Sequence, residues 1–274
     1  MKRIATAAIT LIILVQPAGA FGFKWKSVPV KAAMTGVTAP TATNADTAIG
    51  TFDGKTYVAP NGRRFKKKTS TARAAALMLE AQPAMADLKE VVGYCPEGMK
   101  RTRPENLLGD WLVDILMEAT EKEVGKKVDI GITNHGGIRI DMPDGEVLKD
   151  DLLSMFPFKN YLCYLSMTGE NVLKLFDAMA DHMQVVGGVK VTTKDGEIVE
   201  LLVGGEPVVP EKVYGIASID FLLNGGDDIF VARNADSLIQ TEILIYDAVL
   251  EYVNRVTAEG GMIEKELDNR VVVL

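Results

Sequence analysis

Residues 128–139 read VDIGITNHGGIR and join a short apolar run to a glycine-rich loop. The apolar run has the length and composition of a buried strand, and the loop begins where the run ends. Glycine allows a ligand to approach the backbone closely. The loop closes on an arginine, whose guanidinium can bond two phosphate oxygens and stays charged at physiological pH. The stretch therefore predicts a strand that ends in a ligand-binding loop.

Two later segments supply aromatic rings and a carboxylate. Residues 156–158 read FPF, and residues 221–227 read FLLNGGD. Aromatic rings stack on nucleobases with little regard to which base it is, and a carboxylate can accept hydrogen bonds from ribose hydroxyls. One arginine, two rings and one carboxylate are the parts needed to hold a nucleotide.

Hydrophobic periodicity indicates an α+β protein. Helical spacing of apolar residues marks four segments, and β-type runs mark five. Because strands and helices do not alternate strictly, a mixed sheet covered by helices fits better than a doubly wound parallel sheet. The predicted helices cover residues 70–92, 105–123, 168–183 and 241–256, and the predicted strands cover 128–133, 161–167, 189–193, 198–203 and 213–218.

Residues 1–20 have the layout of a secretory signal peptide. A basic start at Lys2 and Arg3 precedes an apolar run over 4–15 and a small-residue cleavage site that ends at Ala20. The apolar run is shorter than the ~20 residues that span a bilayer. We expect cleavage near Ala20, export to the periplasm or the medium, and no stable membrane anchor; an uncleaved anchor is the alternative. In an exported protein the two cysteines either pair or remain buried thiols; they are Cys95 and Cys163.

Two regions are expected after the signal peptide. Residues 21–69 are rich in Ala, Thr and Pro and predict a weakly ordered lead-in, with a small hairpin around Pro60-Asn61-Gly62. Residues 70–274 are expected to form the main domain. The net charge of −7 argues against a general nucleic-acid binder, because such proteins present a basic surface to the phosphates.

Four short blocks resemble one known family in their order and spacing. They are NHGGIR at 134–139, FPF at 156–158, MTG at 167–169 and FLLNGGD at 221–227. Together they resemble the C-terminal, substrate-binding domain of the 5'-nucleotidases, and the resemblance extends from about residue 88 to residue 270. It implies the mixed α/β fold of that domain and a nucleotide or nucleoside ligand.

The resemblance also implies roles for individual side chains. Phe158 and Phe221 would sandwich the nucleobase, and Arg139 would approach the phosphate. Asp227 would accept the ribose hydroxyls. Asn134 would lie near the nucleoside, or would instead cap the preceding strand through an Asx turn.

A looser block at 101–109, RTRPENLLG, resembles the arginine-containing helix start of the family. A helix N-terminus with nearby arginines can hold an anion. Either Arg101 or Arg103 takes the place of the family arginine, or both pair with Glu105 or Asp110. No catalytic residue is predicted in this chain. The predicted substrate-binding residues are Arg103, Asn134, Gly136, Gly137, Arg139, Phe158, Phe221, Gly225 and Asp227.

The sequence departs from complete 5'-nucleotidases in its metal ligands. Those proteins carry a metallophosphatase domain whose two metal ions are held by several His, Asp and Asn side chains. This chain has two histidines, His135 and His182, and none before residue 88. A two-metal centre needs a set of ligands on each ion. We therefore expect no bound metal or cofactor here and divalent metals only on a separate metallophosphatase chain. His135 either touches the ligand or points outward.

Three functions agree with these features. The chain is the nucleotide-recognition part of an exported hydrolase whose metal centre lies on another polypeptide, or it is an autonomous nucleotide- or nucleoside-binding module. The third alternative is an interaction or structural remnant of such a domain, in which the pocket residues serve only folding. A neighbouring gene for an exported metallophosphatase would favour the first, and a nucleotide titration would separate the second from the third.

Overall fold

The computed structural model describes residues 45–274; the predicted signal peptide and residues 21–44 of the predicted lead-in lie outside the described residues. No helix within residues 45–274 has the length and apolar character needed to cross a membrane. The helices are α1 (Ala45–Ile49), α2 (Ser70–Ala81), α3 (Leu107–Val124), α4 (Lys149–Met155), α5 (Gly169–Met179), α6 (Asp220–Leu223) and α7 (Ile245–Ala258). The strands are β1 (Thr51–Asp53), β2 (Thr56–Val58), β3 (Arg64–Lys66), β4 (Val91–Cys95), β5 (Ile130–Thr133), β6 (Gly145–Leu148), β7 (Tyr161–Thr168), β8 (Val185–Gly187), β9 (Val189–Lys194), β10 (Glu197–Val203), β11 (Glu206–Pro207), β12 (Val213–Ile219), β13 (Ser237–Leu244) and β14 (Val271–Val273).

A five-stranded mixed sheet forms the centre of the main domain. Its order is β13-β7-β12-β5-β8, with β12 and β5 parallel and the other neighbours antiparallel. A four-stranded sheet of order β11-β10-β9-β14 also contains one parallel pair, β9 with β14. The buried apolar side chains of both sheets and of α3, α5 and α7 belong to one continuous core. The prediction of a mixed sheet covered by helices is confirmed.

Helix α3 packs closely on the central sheet. Asn106 begins the helix, since its Oδ1 accepts a hydrogen bond from the Gly109 amide at 2.7 Å, and Gly125 ends it in a left-handed conformation. The strand beneath carries a glycine where the helix approaches: a Cβ on Gly131 would lie 2.6 Å from the Val113 side chain. This close packing holds β5, and thus the loop that follows it, in a fixed place.

The predicted helix over 70–92 is wrong in its C-terminal part. Helix α2 ends at Ala81, two 3-10 turns follow, and β4 begins at Val91. Pro83 stands in the first of these turns, where its ring and missing N–H prevent an α-helix from continuing. β4 pairs with β6, which lies about 50 residues later in the chain. No local sequence pattern predicts that pairing.

The predicted helix over 241–256 begins later than expected, at Ile245. The preceding residues form β13, which pairs with β7 along the edge of the central sheet. Thr241 supports this strand, because its Oγ1 donates a hydrogen bond to the Leu162 carbonyl at 2.8 Å. The other two predicted helices and the five predicted strands are confirmed, with shifted ends.

The predicted hairpin around residues 60–62 is part of a three-stranded meander, β1-β2-β3. The buried side chain of Tyr57 in this meander packs with Ala72 and Ala75 of α2 in a small cluster separate from the main core. The cluster joins segments on either side of the predicted boundary between residues 69 and 70. That boundary stays a prediction.

Both cysteines are buried and free. Burial raises the pKa of the Cys163 thiol to about 12, and burial also raises the pKa of the Cys95 thiol. Thiols with raised pKa values stay protonated at neutral pH and react slowly. Of the two alternatives for the cysteines, a disulfide or two buried thiols, this structure has the buried thiols.

Candidate functional site

A cavity at one edge of the central sheet holds most of the predicted site residues. Because β5 and β12 are parallel, their C-terminal ends lie at the same edge, and β7, antiparallel to β12, begins there. The segments after β5 and β12 and before β7 therefore converge. They enclose a cavity of about 460 Å³, a size typical of small-molecule sites. Its lining residues are Asn134, Gly136, Gly137, Arg139, Phe158, Lys159, Asn160, Phe221 and Asp227.

Seven of the nine predicted substrate-binding residues line this cavity, and two do not, namely Arg103 and Gly225. The sequence interpretation missed Lys159 and Asn160. Both directly follow Phe158 in the turn before β7. Their position next to a residue that was predicted to contact the ligand could have identified them as lining residues. Asn160 is held in place, since its Nδ2 donates a hydrogen bond to Asp220 Oδ1 at 2.9 Å. Ligand contact by these residues remains a prediction.

The buried Asn134 links the two walls of the cavity. Its Nδ2 donates a hydrogen bond to Asp227 Oδ2 at 2.6 Å, whereas its Oδ1 is buried without a hydrogen-bond partner. The side chain does not cap the turn that follows β5, so the Asx-turn alternative is wrong. The glycines leave room for this arrangement: a Cβ on Gly137 would lie 2.7 Å from Asn134 Oδ1, and one on Gly136 would lie 3.1 Å from Asp227 Oδ2.

Asp227 adopts an unusual backbone conformation that presents its carboxylate to the cavity. Its φ is +49°, in the left-handed region that Asn and Asp tolerate better than most residues. The two preceding glycines make the turn possible. Gly225 has a φ of +106°, and a Cβ on Gly226 would lie 2.6 Å from the Phe221 ring. Gly225 thus shapes the turn without lining the cavity.

The two aromatic rings in the cavity are about half exposed, at 49% for Phe158 and 45% for Phe221. Phe156, in the same short FPF segment, is 3% exposed and belongs to the core. An exposed ring on a cavity wall offers a face to a ligand, whereas a core ring does not. The structure therefore separates the roles of the two phenylalanines within the FPF segment.

Arg139 brings a positive charge to the cavity. Its Nη1 donates a hydrogen bond to the Gly136 carbonyl at 2.9 Å, and its guanidinium carbon lies 5.7 Å from the centre of the Phe158 ring. Among the described residues, no carboxylate forms an ion pair with it. The guanidinium therefore keeps donors and charge for an anion.

A second, smaller cavity of about 240 Å³ adjoins the first and shares Gly136 and Arg139 with it. Arg101 lines it, but the Arg101 guanidinium is bonded to Asp141 at 3.0 Å and to the Ile138 carbonyl at 2.9 Å. Arg103 also lines it, is exposed, and has no ion pair among residues 45–274. The alternative that these arginines pair with Glu105 or Asp110 is wrong. Of the two, Arg103 is the one free to meet a ligand.

His135 lines the second cavity with its Nε2 buried, so the alternative that it points outward is wrong; its contact with a ligand stays a prediction. Its Nε2 is buried without a hydrogen-bond partner, and its backbone amide donates to Gln184 Oε1 at 3.1 Å. Burial, and to a smaller extent the nearby Arg103, lower the pKa of the imidazole to about 4, although the Pro104 backbone opposes this shift. The ring is therefore neutral at physiological pH.

No cluster of metal-binding side chains lies in either cavity within the described part of the chain. Within residues 45–274, the one close group of three carboxylates comprises Glu105, Asp110 and Asp268, with oxygens within 4.8 Å of one another. Both oxygens of Asp268 accept hydrogen bonds from Arg270, at 2.9 and 2.6 Å. The Asp268 carboxylate is thus engaged with a guanidinium, and the group is not assigned to a metal.

The family model described as "5'-nucleotidase, C-terminal domain" matches residues 87–233, more than half of the 274-residue chain. The chain belongs to this family. The match includes every residue that lines the first cavity, from Asn134 to Asp227. The resemblance seen in the sequence motifs is confirmed, and so is the expected fold of a 5'-nucleotidase C-terminal domain.

Individual relatives with similar sequences or structures support this family membership. Protein UshA of Escherichia coli K12 is 29% identical over 133 residues, which cover 46% of this chain and 24% of UshA. A 5'-nucleotidase of Vibrio vulnificus is 30% identical over 135 residues, which cover 47% of this chain and 24% of that protein. The crystal structure of a 5'-nucleotidase precursor from Thermus thermophilus superposes with a TM-score of 0.65 at 24% identity, over 74% of this chain and 43% of that one. The matched region thus spans about a quarter of the length of the curated relatives.

Proposed function

We propose that this domain binds a nucleotide in the cavity at the edge of the central sheet, as the nucleotide-recognition part of an exported 5'-nucleotidase-type hydrolase. The observation that carries the proposal is the meeting of two half-exposed rings, an unpaired guanidinium and a carboxylate in one cavity of about 460 Å³. Membership of the 5'-nucleotidase C-terminal family supports it.

Each part of a nucleotide has a matching group in this cavity. A base stacks between Phe158 and Phe221, and each such contact is worth roughly 1–3 kcal/mol. The phosphate lies against Arg139, and Arg103 lines the adjoining cavity. The ribose hydroxyls donate to Asp227, whose second partner is the amide of Asn134. Stacking reads the face of a base and not its edge, so the proposal covers nucleotides of different bases.

The hydrolytic chemistry is assigned to a separate metallophosphatase chain. The 274 residues contain two histidines, and a centre that activates water between two metal ions needs more ligands than these provide. His135 is held neutral with a buried Nε2, away from the first cavity. The signal-peptide layout of residues 1–20 supports export and, with it, a role in nucleotide scavenging outside the cytoplasm.

An autonomous nucleotide- or nucleoside-binding module is the second candidate, and one observation favours it. The Asn134–Asp227 hydrogen bond closes the cavity within this chain alone, so the site is formed before any partner arrives. Calorimetric titration with AMP, UMP, UDP-glucose and adenosine, with and without the candidate partner, tests both functions. No heat of binding at millimolar ligand, in either arrangement, would reject nucleotide recognition and leave a structural role.

The purified chain should release no phosphate from AMP above background in the presence of Mn²⁺ or Zn²⁺. The physical reason is the shortage of metal ligands, since the chain holds two histidines. Phosphate release is measured colorimetrically, before and after repurification. Metal-dependent turnover that copurifies with the chain would place the chemistry here and contradict the assignment to a partner.

Asp227→Asn should weaken AMP binding on the order of 10-fold, because a carboxylate that accepts ribose hydroxyls becomes a neutral amide. Asparagine tolerates the left-handed backbone at this position, so folding is retained. Affinity for 2',3'-dideoxy-AMP should change far less. Asp228→Asn is the matched control, since Asp228 is next in sequence, also has positive φ, and does not line the cavity. Equal losses for AMP and its dideoxy analogue would show that Asp227 supports the Asn134 loop instead.

A further inference from the structure

Two carboxyl groups meet where the C-terminal strand joins the start of α3. Glu105 precedes the helix, and Asp110 lies in its first turn. The Asp110 side chain is 4% exposed and the neighbouring Arg270 side chain is 5% exposed. Glu105 Oε2 accepts a hydrogen bond from the amide of Val271, the first residue of β14, at 3.0 Å. The carboxyl groups therefore take part in anchoring β14.

Arg270 does not satisfy the Asp110 carboxyl. Its donors go to Asp114 Oδ1 at 2.8 Å, to both oxygens of Asp268 and to the Val186 carbonyl at 3.3 Å. Its closest approach to Asp110 is 3.7 Å, from Nε to Oδ1, which is too long for a hydrogen bond. Asp110 Oδ2 and Glu105 Oε1 are left buried with no donor facing them.

The charges around this pair do not balance if every carboxyl is ionised. Three carboxylates, from Asp110, Asp114 and Asp268, face the guanidinium of Arg270, and Glu105 acts on Asp110 as a fourth. Lys265 bonds Asp114 at the rim, and Lys190 acts on Asp268 from β9. Carboxyl oxygens of Glu105 and Asp110 lie within 4.8 Å of each other, so two ionised groups there repel each other. A proton on Asp110 removes this repulsion and supplies a donor for Glu105. Burial raises the pKa of the Asp110 carboxyl to about 7; Arg270 opposes this rise and Glu105 adds to it.

We propose that protonated Asp110 donates a hydrogen bond to Glu105, and that this pair is a pH-sensitive latch that holds β14 against the start of α3. The latch is independent of the proposed nucleotide site, although Glu105 lies two residues after Arg103 of the second cavity. When the pair loses its proton, Glu105 is repelled from Asp110, and its hydrogen bond to the Val271 amide weakens.

The direction of the pH effect follows from the raised pKa. The folded protein keeps the Asp110 proton to higher pH than the unfolded chain does, so the pair stabilises the fold most strongly at low pH. The stabilisation falls as the pH rises and is lost once the pH passes about 7. A cation-binding pair would behave in the opposite way, because metal ions compete with protons.

The test is thermal unfolding of the full chain at pH 5 and pH 8.5 in EDTA, for wild type and Asp110→Asn. Asparagine keeps the shape, donates a hydrogen bond to Glu105 and does not ionise. The two proteins should melt at similar temperatures at pH 5, and the variant should melt at least about 2 °C higher than wild type at pH 8.5. A higher melting temperature of Asp110→Asn at pH 8.5 only would identify the Asp110 proton as the cause, because the substitution removes a buried charge only where wild-type Asp110 is ionised.

Glu105→Gln provides a second variant, which should reproduce the same pattern if Asp110→Asn fails to fold. Asp114→Asn is the matched control on the next turn of α3: it loses the bond to Arg270 and should melt lower at both pH values.

Equal destabilisation of Asp110→Asn at both pH values would show that Asp110 serves only as an anion for Arg270. Stabilisation of wild type by Mg²⁺ or Ca²⁺ at pH 8.5, absent in Asp110→Asn, would show a cation in place of the proton. Either result overturns the latch.

Discussion

Replacing Arg139 with alanine should weaken AMP binding by roughly 10- to 150-fold, the loss expected for a charge-assisted contact of about 1.5–3 kcal/mol. The guanidinium lines the cavity and has no carboxylate partner among the described residues, so a phosphate is its natural anion. Binding of adenosine, which lacks the phosphate, should change far less. The salt dependence of AMP binding should also decrease, because an ion pair near the surface is screened. Calorimetry at two salt concentrations measures both effects.

Two further variants separate phosphate recognition from loop support. Arg139 also bonds the Gly136 carbonyl, so Arg139→Lys keeps the charge but loses the planar fork and should show an intermediate loss. Arg101→Ala removes an arginine bonded to Asp141 and Ile138, and it should lower the melting temperature without a selective effect on AMP. Equal losses for AMP and adenosine in Arg139→Ala would assign Arg139 to the loop and leave Arg103 as the phosphate ligand.

Phe158→Ala should weaken binding of AMP and of adenosine alike, by about 1–3 kcal/mol or roughly 5- to 150-fold, because both ligands carry the base. The melting temperature should change little, since the ring is 49% exposed and does not fill the core. Phe221→Ala should act in the same direction. Affinity and melting temperature are measured on the same preparations.

Tyr94→Ala is the matched control for the rings, because Tyr94 is equally exposed, at 49%, and does not line the cavity. It should leave nucleotide affinity unchanged. The expected contrast with Arg139→Ala is clear: the arginine variant distinguishes AMP from adenosine, and the phenylalanine variant does not. A large fall in melting temperature with intact affinity would place Phe158 in the core and contradict the base clamp.

Local patterns predicted those parts of the site that depend on short stretches of chain. The strand β5 and its glycine loop follow from composition and spacing, whereas the choice of Phe158 and Phe221 as ligand-contacting rings came from the resemblance to the 5'-nucleotidase domain. The hydrogen bond from Asn134 to Asp227 spans 93 residues, and no periodicity reveals such a contact. Lys159 and Asn160 were missed because a turn before a strand has no characteristic spacing.

The same limit explains the errors in the fold. The apolar residues of segment 70–92 suit a helix until Pro83, and β4 is a strand only because β6 pairs with it. Residues 241–244 fit both the helical spacing of apolar residues and the alternation that is typical of a strand. They form a strand because they pair with β7. In both places a partner distant in sequence determined the local structure.

The walls of the cavity come from both halves of the domain, with one ring in each half. Arg139 and Phe158 accompany Asn134 in the first half, and Phe221 accompanies Asp227 in the second. β12, which leads to Phe221, also lies between β5 and β7 in the central sheet. A fragment without β12 therefore loses one ring and also the strand that positions the Asn134 loop. The proposed nucleotide binding therefore requires both halves of the folded domain, and we expect a proteolytic cut that releases either half to abolish it.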